Sequence, residues 1–394
     1  MTRRAKAITL FGLAMLPAMV HCRANARDAG NAAIHQMLLF LEEDQSTGTG
    51  NFPEGIFPAY RQYVFHPNVL KDDDNLFFTA LVVFTLNGLY PQLTDADRAI
   101  ARKIRDRAIP AFALYQNQKG RQTYNFWRTR PPRIFPHSGW MNRFDRQQAL
   151  PDDFDDTSIG LLARMADTET VKQVHALMQG FTNLPAKPVR NTLKAYRHMP
   201  AYSVWFGQKF PVDFDVCVLA NTLYLVSAYH LPWTAADSAS LKLIRTAIQN
   251  KDIFSHPGYI APHYHTTAII LYHLARLYAI NPRLLAAEKS QLEEAAKKLW
   301  ETTGNPVEKA LLGTSLKRLG YKMPYPGPEN LDSAKIHAYA TGNFVFFIAN
   351  MASMLPNPLK GPLGKWGIGQ FNYYCPAYNI ALLLEYYLTP VPGD

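Results

Sequence analysis

The chain has 394 residues, of which 48% are hydrophobic and 12% aromatic. This composition supports a large core and excludes intrinsic disorder. No run beyond the N-terminal segment reaches the roughly 18 uninterrupted apolar residues of a membrane span. The net charge of +10 at pH 7 comes from scattered residues rather than a basic recognition motif, which argues against nucleic acid as a partner.

The N-terminal segment has the composition of a secretory signal peptide. Basic residues, including an arginine pair at 3 and 4, precede an apolar stretch over 7–20, and a small-x-small cleavage site follows at 24–26. The arginine pair is compatible with twin-arginine export. We therefore predict a signal peptide over 1–26, one domain over 27–394, and a periplasmic or secreted location.

Apolar stretches with helical spacing recur along the rest of the chain. Some are apolar on every side, as is typical of buried helices, and others are amphipathic and charged, as is typical of outer helices. The predicted helices span 31–43, 75–89, 95–115, 155–166, 168–180, 216–229, 235–250, 266–279, 282–302, 306–319, 344–353 and 380–388. Irregular, aromatic-rich segments lie between several of them, at 44–71, 118–150 and 194–210. No segment shows the alternation that is typical of a β-strand.

The alternation of apolar and amphipathic helices predicts the fold class. Repeated helical hairpins bury their apolar members at the centre, either in a solenoid or in a closed ring. The number of apolar helices favours an all-α (α/α) toroid of about five to six hairpins in a single domain. Every inner helix then begins at the same end of the barrel, so the polar residues at these starts should converge on one cavity.

Polar pairs precede the apolar helices at equivalent positions. They are Asp72/Asp74, Asp153/Asp155, Asp213/Asp215 and His263/His265, and Asp156 adds a further carboxylate. One carboxylate per helix is expected as an N-cap. Crowded carboxylates repel one another, which should raise at least one pKa and keep a proton bound near neutral pH. The predicted catalytic residues are Asp153, Asp155, Asp156, Asp213, Asp215, His263 and His265.

The irregular segments combine aromatic rings with Arg and amide groups, which suits contact with a small-molecule or oligomeric substrate in the barrel cavity. Rings packed on the barrel rim are an equally open interpretation. The predicted substrate-binding residues are Asp72, Asp74, Tyr124, Trp127, Arg128, Trp205 and Tyr264.

One of these motifs resembles a known family. Asp153-Phe154-Asp155-Asp156-Thr157-Ser158 is similar to the Asp-x-Asp-Asp-Thr-Ala signature of class II terpene cyclases of the squalene–hopene cyclase type, which are built of α/α barrels. The resemblance implies that Asp155 protonates an alkene or epoxide, with Asp153 and Asp156 as its hydrogen-bonding partners. Aromatic faces would stabilise the resulting cations. It predicts acid-initiated cyclisation or isomerisation of an isoprenoid-like substrate, with no required cofactor.

A second motif resembles another branch of the same superfamily. Asp215-Val216-Cys217 and Tyr264-His265-Thr266 are similar to elements of the protein prenyltransferase β subunit. This resemblance implies a zinc site made by Asp215, Cys217 and His265. The alternative is that Cys217 is a core residue and His265 a helix cap. Cys217 and Cys375 could form a disulfide in an oxidising compartment or stay as two free thiols.

Two further functions remain open at the sequence level. Paired carboxylates with nearby His, Tyr and Arg128 suit a periplasmic glycan hydrolase or lyase, and carboxylate clusters could also hold calcium. Alternatively, the protein is a non-catalytic lipid-binding or scaffold toroid whose Asp residues only cap helices.

Overall fold

The computed structural model describes residues 15–139, 150–183, 187–207, 210–323, 328 and 331–391. The predicted signal peptide lies partly outside these ranges, and export stays a prediction. None of the described helices is long and apolar enough to cross a membrane.

Most of the described chain is helical. The helices, in chain order, are α1 (Met15–Asp44), α2 (Leu76–Leu89), α3 (Asp95–Ala111), α4 (Phe154–Ala163), α5 (Thr168–Met178), α6 (Val216–Ala228), α7 (Ala235–Gln249), α8 (Asp252–Ser255), α9 (Pro257–Ile260), α10 (Thr267–Ile280), α11 (Lys289–Thr302), α12 (Pro306–Arg318), α13 (Ser333–Ala340), α14 (Lys360–Lys365) and α15 (Pro376–Leu388). The strands are β1 (Tyr60–Tyr63), β2 (Leu70–Asp72), β3 (Phe347–Asn350) and β4 (Gln370–Tyr374).

Six helices form a closed ring. Going round it, α2 packs on α4, then α6, α10, α12 and α15 follow, and α15 packs back on α2. Nearly every residue of α4 and α6 is buried, which explains why these sequences are apolar all round. The helices between them in sequence, such as α5 and α11, bury one face only.

The predicted all-α class is wrong, because the protein also contains an antiparallel sheet and is therefore an α+β mix. The four strands pair in the order β2-β1-β4-β3, with Tyr60 opposite Tyr374 and Phe347 opposite Tyr373. The predicted helix over 344–353 is also wrong, since this segment forms β3 and a 3₁₀ turn over Met351–Met354. Strands of three to five residues are too short to show alternation.

The sheet covers the end of the ring at which the inner helices begin. Phe347 of β3 packs on Phe77 in the first turn of α2, with 5.2 Å between ring centroids. The Ile348 N–H of β3 donates to the carbonyl oxygen of His263, just before α10, at 2.9 Å. The helix starts and the sheet therefore enclose a common space.

Candidate functional site

A narrow cavity lies between the sheet and the helix starts. Its outer part has a volume of about 100 Å³ and is lined mainly by aromatic rings, among them Phe126, Trp127 and Phe135. Its inner part, about 30 Å³, contains Asp153, Asp155 and Asp156. The two parts are one space, because five lining residues are common to both: Phe126, Asp153, Trp205, His263 and Phe347.

Two aromatic loops are fixed to the start of α4 by backbone hydrogen bonds. The N–H of Asp153 donates to the Tyr124 carbonyl oxygen at 3.2 Å, and the N–H of Phe154 donates to the Val204 carbonyl oxygen at 2.8 Å. These bonds hold Trp127 and Trp205 on the cavity wall. These loops thus bring aromatic rings beside the α4 carboxylates, and their contact with a substrate stays a prediction.

Asp153 and Asp156 are two buried carboxyl groups that lie close together at the start of α4. Asp153 is the N-cap of α4, where its Oδ1 accepts from the N–H of Asp156 at 2.7 Å. Burial raises the pKa of Asp153 to about 7. Burial, and then the charge of Asp153, raises the pKa of Asp156 well above its ordinary value. The pKa of both groups is therefore raised, with burial as the largest cause and repulsion between the carboxylates as a smaller one.

Asp155 has a different environment. Its Oδ1 accepts from Asn221 at 2.5 Å, and its Oδ2 accepts from the hydroxyl of Tyr264. Burial raises the pKa of Asp155, whereas the bonds from Asn221 and Tyr264 and the charge of Arg276 oppose this rise. The charge of His263 also opposes the rise, but the pKa of Asp155 remains raised overall.

His263 stands on the opposite wall from the α4 carboxylates. Its ring stacks on Phe347, and its Nε2 lies 3.7 Å from Oδ2 of Asp213, an ion-pair distance that is too long for a hydrogen bond. Burial lowers the pKa of His263, but Asp213 and Asp215 outweigh this effect, so the pKa is raised overall. Asp213 is held in turn by Asn191 at 2.9 Å. His263 lines the cavity and forms an ion pair with Asp213 when its imidazole is protonated.

Asp215 is used within the backbone framework. Its Oδ1 accepts from the N–H of Cys217 at 2.8 Å, which caps α6, and its Oδ2 accepts from the N–H of His263 at 3.0 Å. Burial raises the pKa of Asp215 to about 7. Asp215 joins two ring helices and does not line the cavity.

The first polar pair lies outside the cavity. Asp72 belongs to β2 and accepts from Asn51 at 2.6 Å. Asp74 is ion-paired with Arg128 and buried, and burial raises its pKa to about 6. The pattern of polar pairs did not include Asp73, which is ion-paired with the buried Arg61 of β1. Residues 72–74 therefore mainly attach the sheet to α2.

The remaining predicted residues divide between the cavity and the core. The ring of Tyr124 packs against Gly160 of α4, where a Cβ would lie 3.0 Å from it, so Tyr124 is a core residue. Tyr264 is fully buried and does not line the cavity, but its hydroxyl donates to Asp155 and its ring packs on Phe347, with 5.7 Å between ring centroids. His265 lines neither part of the cavity, and burial lowers its pKa. Trp205, by contrast, lines both parts.

The proposed metal ligands do not form a cluster among the described residues. No group of three or more His, Cys, Asp or Glu side chains there is arranged to hold a metal ion. Cys217 and Cys375 are buried free thiols. Both oxygens of Asp215 accept backbone hydrogen bonds, and the zinc site of Asp215, Cys217 and His265 stays a prediction.

Sequence reasoning missed two polar residues inside ring helices. Asn221 donates to Asp155 and accepts from Nη2 of Arg276, so it connects the two side chains. A lone amide in the apolar run of α6 and a lone cation in that of α10 are visible in the sequence. A buried polar group needs a hydrogen-bond partner, so a lone polar residue in an apolar helix predicts a buried polar contact.

Comparison with models of known protein families gave no match, and comparison with curated protein sequences gave none either. Any statement about function therefore depends on the geometry of the site.

Proposed function

We propose that this protein is an acid catalyst that protonates a small unsaturated, isoprenoid-like group in the aromatic cavity. The observation that carries the proposal is a carboxyl pair, Asp153 and Asp156, that keeps a proton near neutral pH at the inner end of an aromatic pocket. A neutral carboxylic acid in an apolar site is the usual means by which an enzyme protonates a poor base.

Asp153 is the proton donor in this proposal, with Asp156 as its hydrogen-bonding partner. Asp153 lines both parts of the cavity, whereas both oxygens of Asp155 accept hydrogen bonds from Asn221 and Tyr264. The assignment differs from the one implied by the terpene cyclase resemblance, in which Asp155 gives up the proton. The similarity of the motif to that family supports the reaction class.

The reaction is balanced in protons. The carboxyl proton is added to one alkene carbon, and the π electrons form the new C–H bond and leave a carbocation on the neighbouring carbon. The rings of Phe126, Trp205 and Phe347 lie where they would stabilise this charge. Loss of a proton from another carbon to the carboxylate restores the acid, so the net change is isomerisation. If a second alkene of the same substrate first attacks the cation, its π electrons form a new C–C bond, and loss of a proton then completes ring closure.

The surroundings of the cavity suit an apolar substrate. Met351 lines the cavity and is 46% exposed, and Trp366 and Ile368 are also exposed large apolar residues. The N–H of Met351 donates to the Gly369 carbonyl oxygen at 3.1 Å, which places it beside the segment that carries Ile368. A volume of about 100 Å³ equals that of only about three water molecules. The cavity thus holds the reacting end of a substrate rather than a whole polyprenyl chain.

Deuterium incorporation tests this proposal. The protein is incubated in D₂O with isoprenoid alcohols of increasing length, and carbon-bound deuterium is measured by mass spectrometry. We expect incorporation by the wild type and its loss in Asp153→Asn, because Asn still caps α4 but carries no acidic proton. Asp152→Asn is the matched control, since Asp152 is bonded to Asn117 and Thr123 and lies outside the cavity. Equal incorporation by wild type and Asp153→Asn contradicts the proposal.

Cleavage of a glycan is the second candidate. It is favoured by His263, which lines the same cavity as Asp153 and, beside Asp213, supplies a second acid–base group. Trp127 and Trp205 would then stack on sugar rings. Release of reducing ends or of unsaturated products from a polysaccharide panel, lost in His263→Gln, distinguishes this activity from proton transfer to an alkene.

A further inference from the structure

A second and larger cavity lies at the other end of the ring. Its volume is about 620 Å³, and its walls come from the C-terminal parts of ring helices, including Leu89 of α2 and Leu319 just after α12. This size is within the usual range for small-molecule sites. None of its lining residues belongs to the aromatic cavity described above.

Arg276 of α10 is a buried cation on the wall of this cavity. It is 3% exposed, and its guanidinium lies 5.1 Å from the ring centroid of Phe84 and 5.3 Å from that of Tyr272. Its Nη2 donates to the neutral side chain of Asn221, whereas its Nη1 has no hydrogen-bond partner among the described residues. Arginine does not lose its proton in proteins, so a positively charged donor is left without an acceptor.

The other charged groups do not supply that acceptor. Glu385 is paired with Arg318, and its second oxygen accepts from the hydroxyl of Tyr272 at 2.6 Å. Lys289 also lines the cavity, but it is ion-paired with Glu293 at 3.2 Å. Arg318 and Lys289 each have a carboxylate partner, so Arg276 is the cation on the described walls that has no ion-pair partner there.

The helix dipoles do not account for Arg276. Helix C-termini meet at this end of the ring, and their carbonyl groups attract cations in the last turn. Arg318 is the last residue of α12 and fits that explanation. Arg276 lies four residues before the end of α10, and its Nη1 donates to no carbonyl among the described residues.

We propose that this cavity binds an organic anion, whose carboxylate or phosphate group pairs with the guanidinium group of Arg276 and whose apolar part packs against Phe84, Leu89 and Leu319. Planar guanidinium groups are suited to both oxyanions. The lining is apolar apart from the charged groups and a few neutral polar ones, which favours an amphiphilic anion over a free inorganic ion.

Calorimetric titration of the full chain with four probes tests the proposal. The probes are octanoate, octyl phosphate, 1-octanol and inorganic phosphate. We expect saturable binding of octanoate or octyl phosphate at least about tenfold tighter than that of octanol, because only the anions can pair with Arg276. The stronger of the two identifies the head group. The proposal is overturned if octanol binds as tightly as both anions. It is also overturned if neither anion binds.

Gly88 provides a charge test that leaves the arginines unchanged. It lines the cavity, and a Cβ added there has no atom within 4 Å. Gly88→Glu should weaken binding of the anion by about fivefold through repulsion near the mouth, whereas the isosteric Gly88→Gln should change it by less than about twofold. Arg276→Gln should abolish binding, with folding checked by circular dichroism. Equal affinities in the two Gly88 variants contradict an anion site here.

Discussion

Arg61 offers a direct test of how the sheet is fastened to the helical ring. It is 2% exposed, its Nη1 is ion-paired with Asp73, and its Nη2 donates to the Pro136 carbonyl oxygen at 2.8 Å and to Ser138 at 2.7 Å. Replacing it by Met leaves Asp73 buried without its cation. Loss of one partner of a buried pair costs roughly 3–5 kcal/mol.

The cost in unfolding free energy depends on the two hydrogen-bond donors that remain on Asp73 and on the pKa of that carboxyl group. Trp127 Nε1 still donates to Asp73 at 3.0 Å, and Asn75 still donates at 3.1 Å, so the lower part of the range applies, about 3 kcal/mol at pH 8. Burial already raises the pKa of Asp73, and Arg61 opposes that rise. Without Arg61 the carboxyl protonates more readily. The cost should therefore decrease to about 1–2 kcal/mol at pH 5.

Equilibrium urea unfolding of wild type, Arg61→Met, Asp73→Asn and the double variant measures these costs. Asn at position 73 removes the stranded charge, so the double variant should recover most of the loss seen in Arg61→Met at pH 8. Lys172→Met is the control, because its ion pair with Glu169 is exposed and 4.0 Å long and should contribute less than about 0.5 kcal/mol. A cost that is equal at both pH values, or simple additivity in the double variant, refutes the reasoning.

Three further outcomes follow from the contacts described above. Turnover should fall about tenfold per pH unit above about pH 7, because Asp153 must be protonated and burial raises its pKa to about 7; a rate that rises with pH there contradicts this role. Burial raises the pKa of Asp215 from 3.8 to about 7. The stabilisation that comes from the more tightly bound proton in the folded state is complete below pH 3.8 and is lost as pH rises to about 7. Asp215→Asn should therefore show a shallower decrease in unfolding free energy over pH 4–7 than wild type. Gly55→Ala should cost more than about 3 kcal/mol in urea unfolding, because φ is +84° and the new Cβ would overlap the Arg107 carbonyl group, whereas Gly120→Ala, with φ of +85° and open space, should cost only about 1–2 kcal/mol.

The inner helices were predictable because a helix that is buried on all sides needs a long apolar sequence. The predicted stretches over 75–89, 216–229 and 266–279 coincide with α2, α6 and α10 to within one residue at each end. Their N-caps were predictable for a similar local reason, since a carboxylate before an apolar run satisfies free N–H groups. Asp153 and Asp215 fill that role.

The sheet was not predictable, because its pairing is non-local. Tyr60 pairs with Tyr374, more than 300 positions away, and strands this short have no periodicity of their own. The ion pair that attaches the sheet to the ring was missed for the same reason. The position of Asp73 depends on Arg61, which belongs to that sheet, and no local pattern distinguishes it from Asp72 or Asp74.

The bridge formed by Asp155, Asn221 and Arg276 gives the two ends of the ring a common electrostatic path. An anion paired with Arg276 would cancel the positive potential that now favours ionised Asp155, so Asp155 would hold a proton more tightly. Thermodynamic reciprocity requires the converse, in which uptake of that proton increases affinity for the anion. Binding of the proposed anion at Arg276 and protonation of Asp155 would thus be thermodynamically coupled.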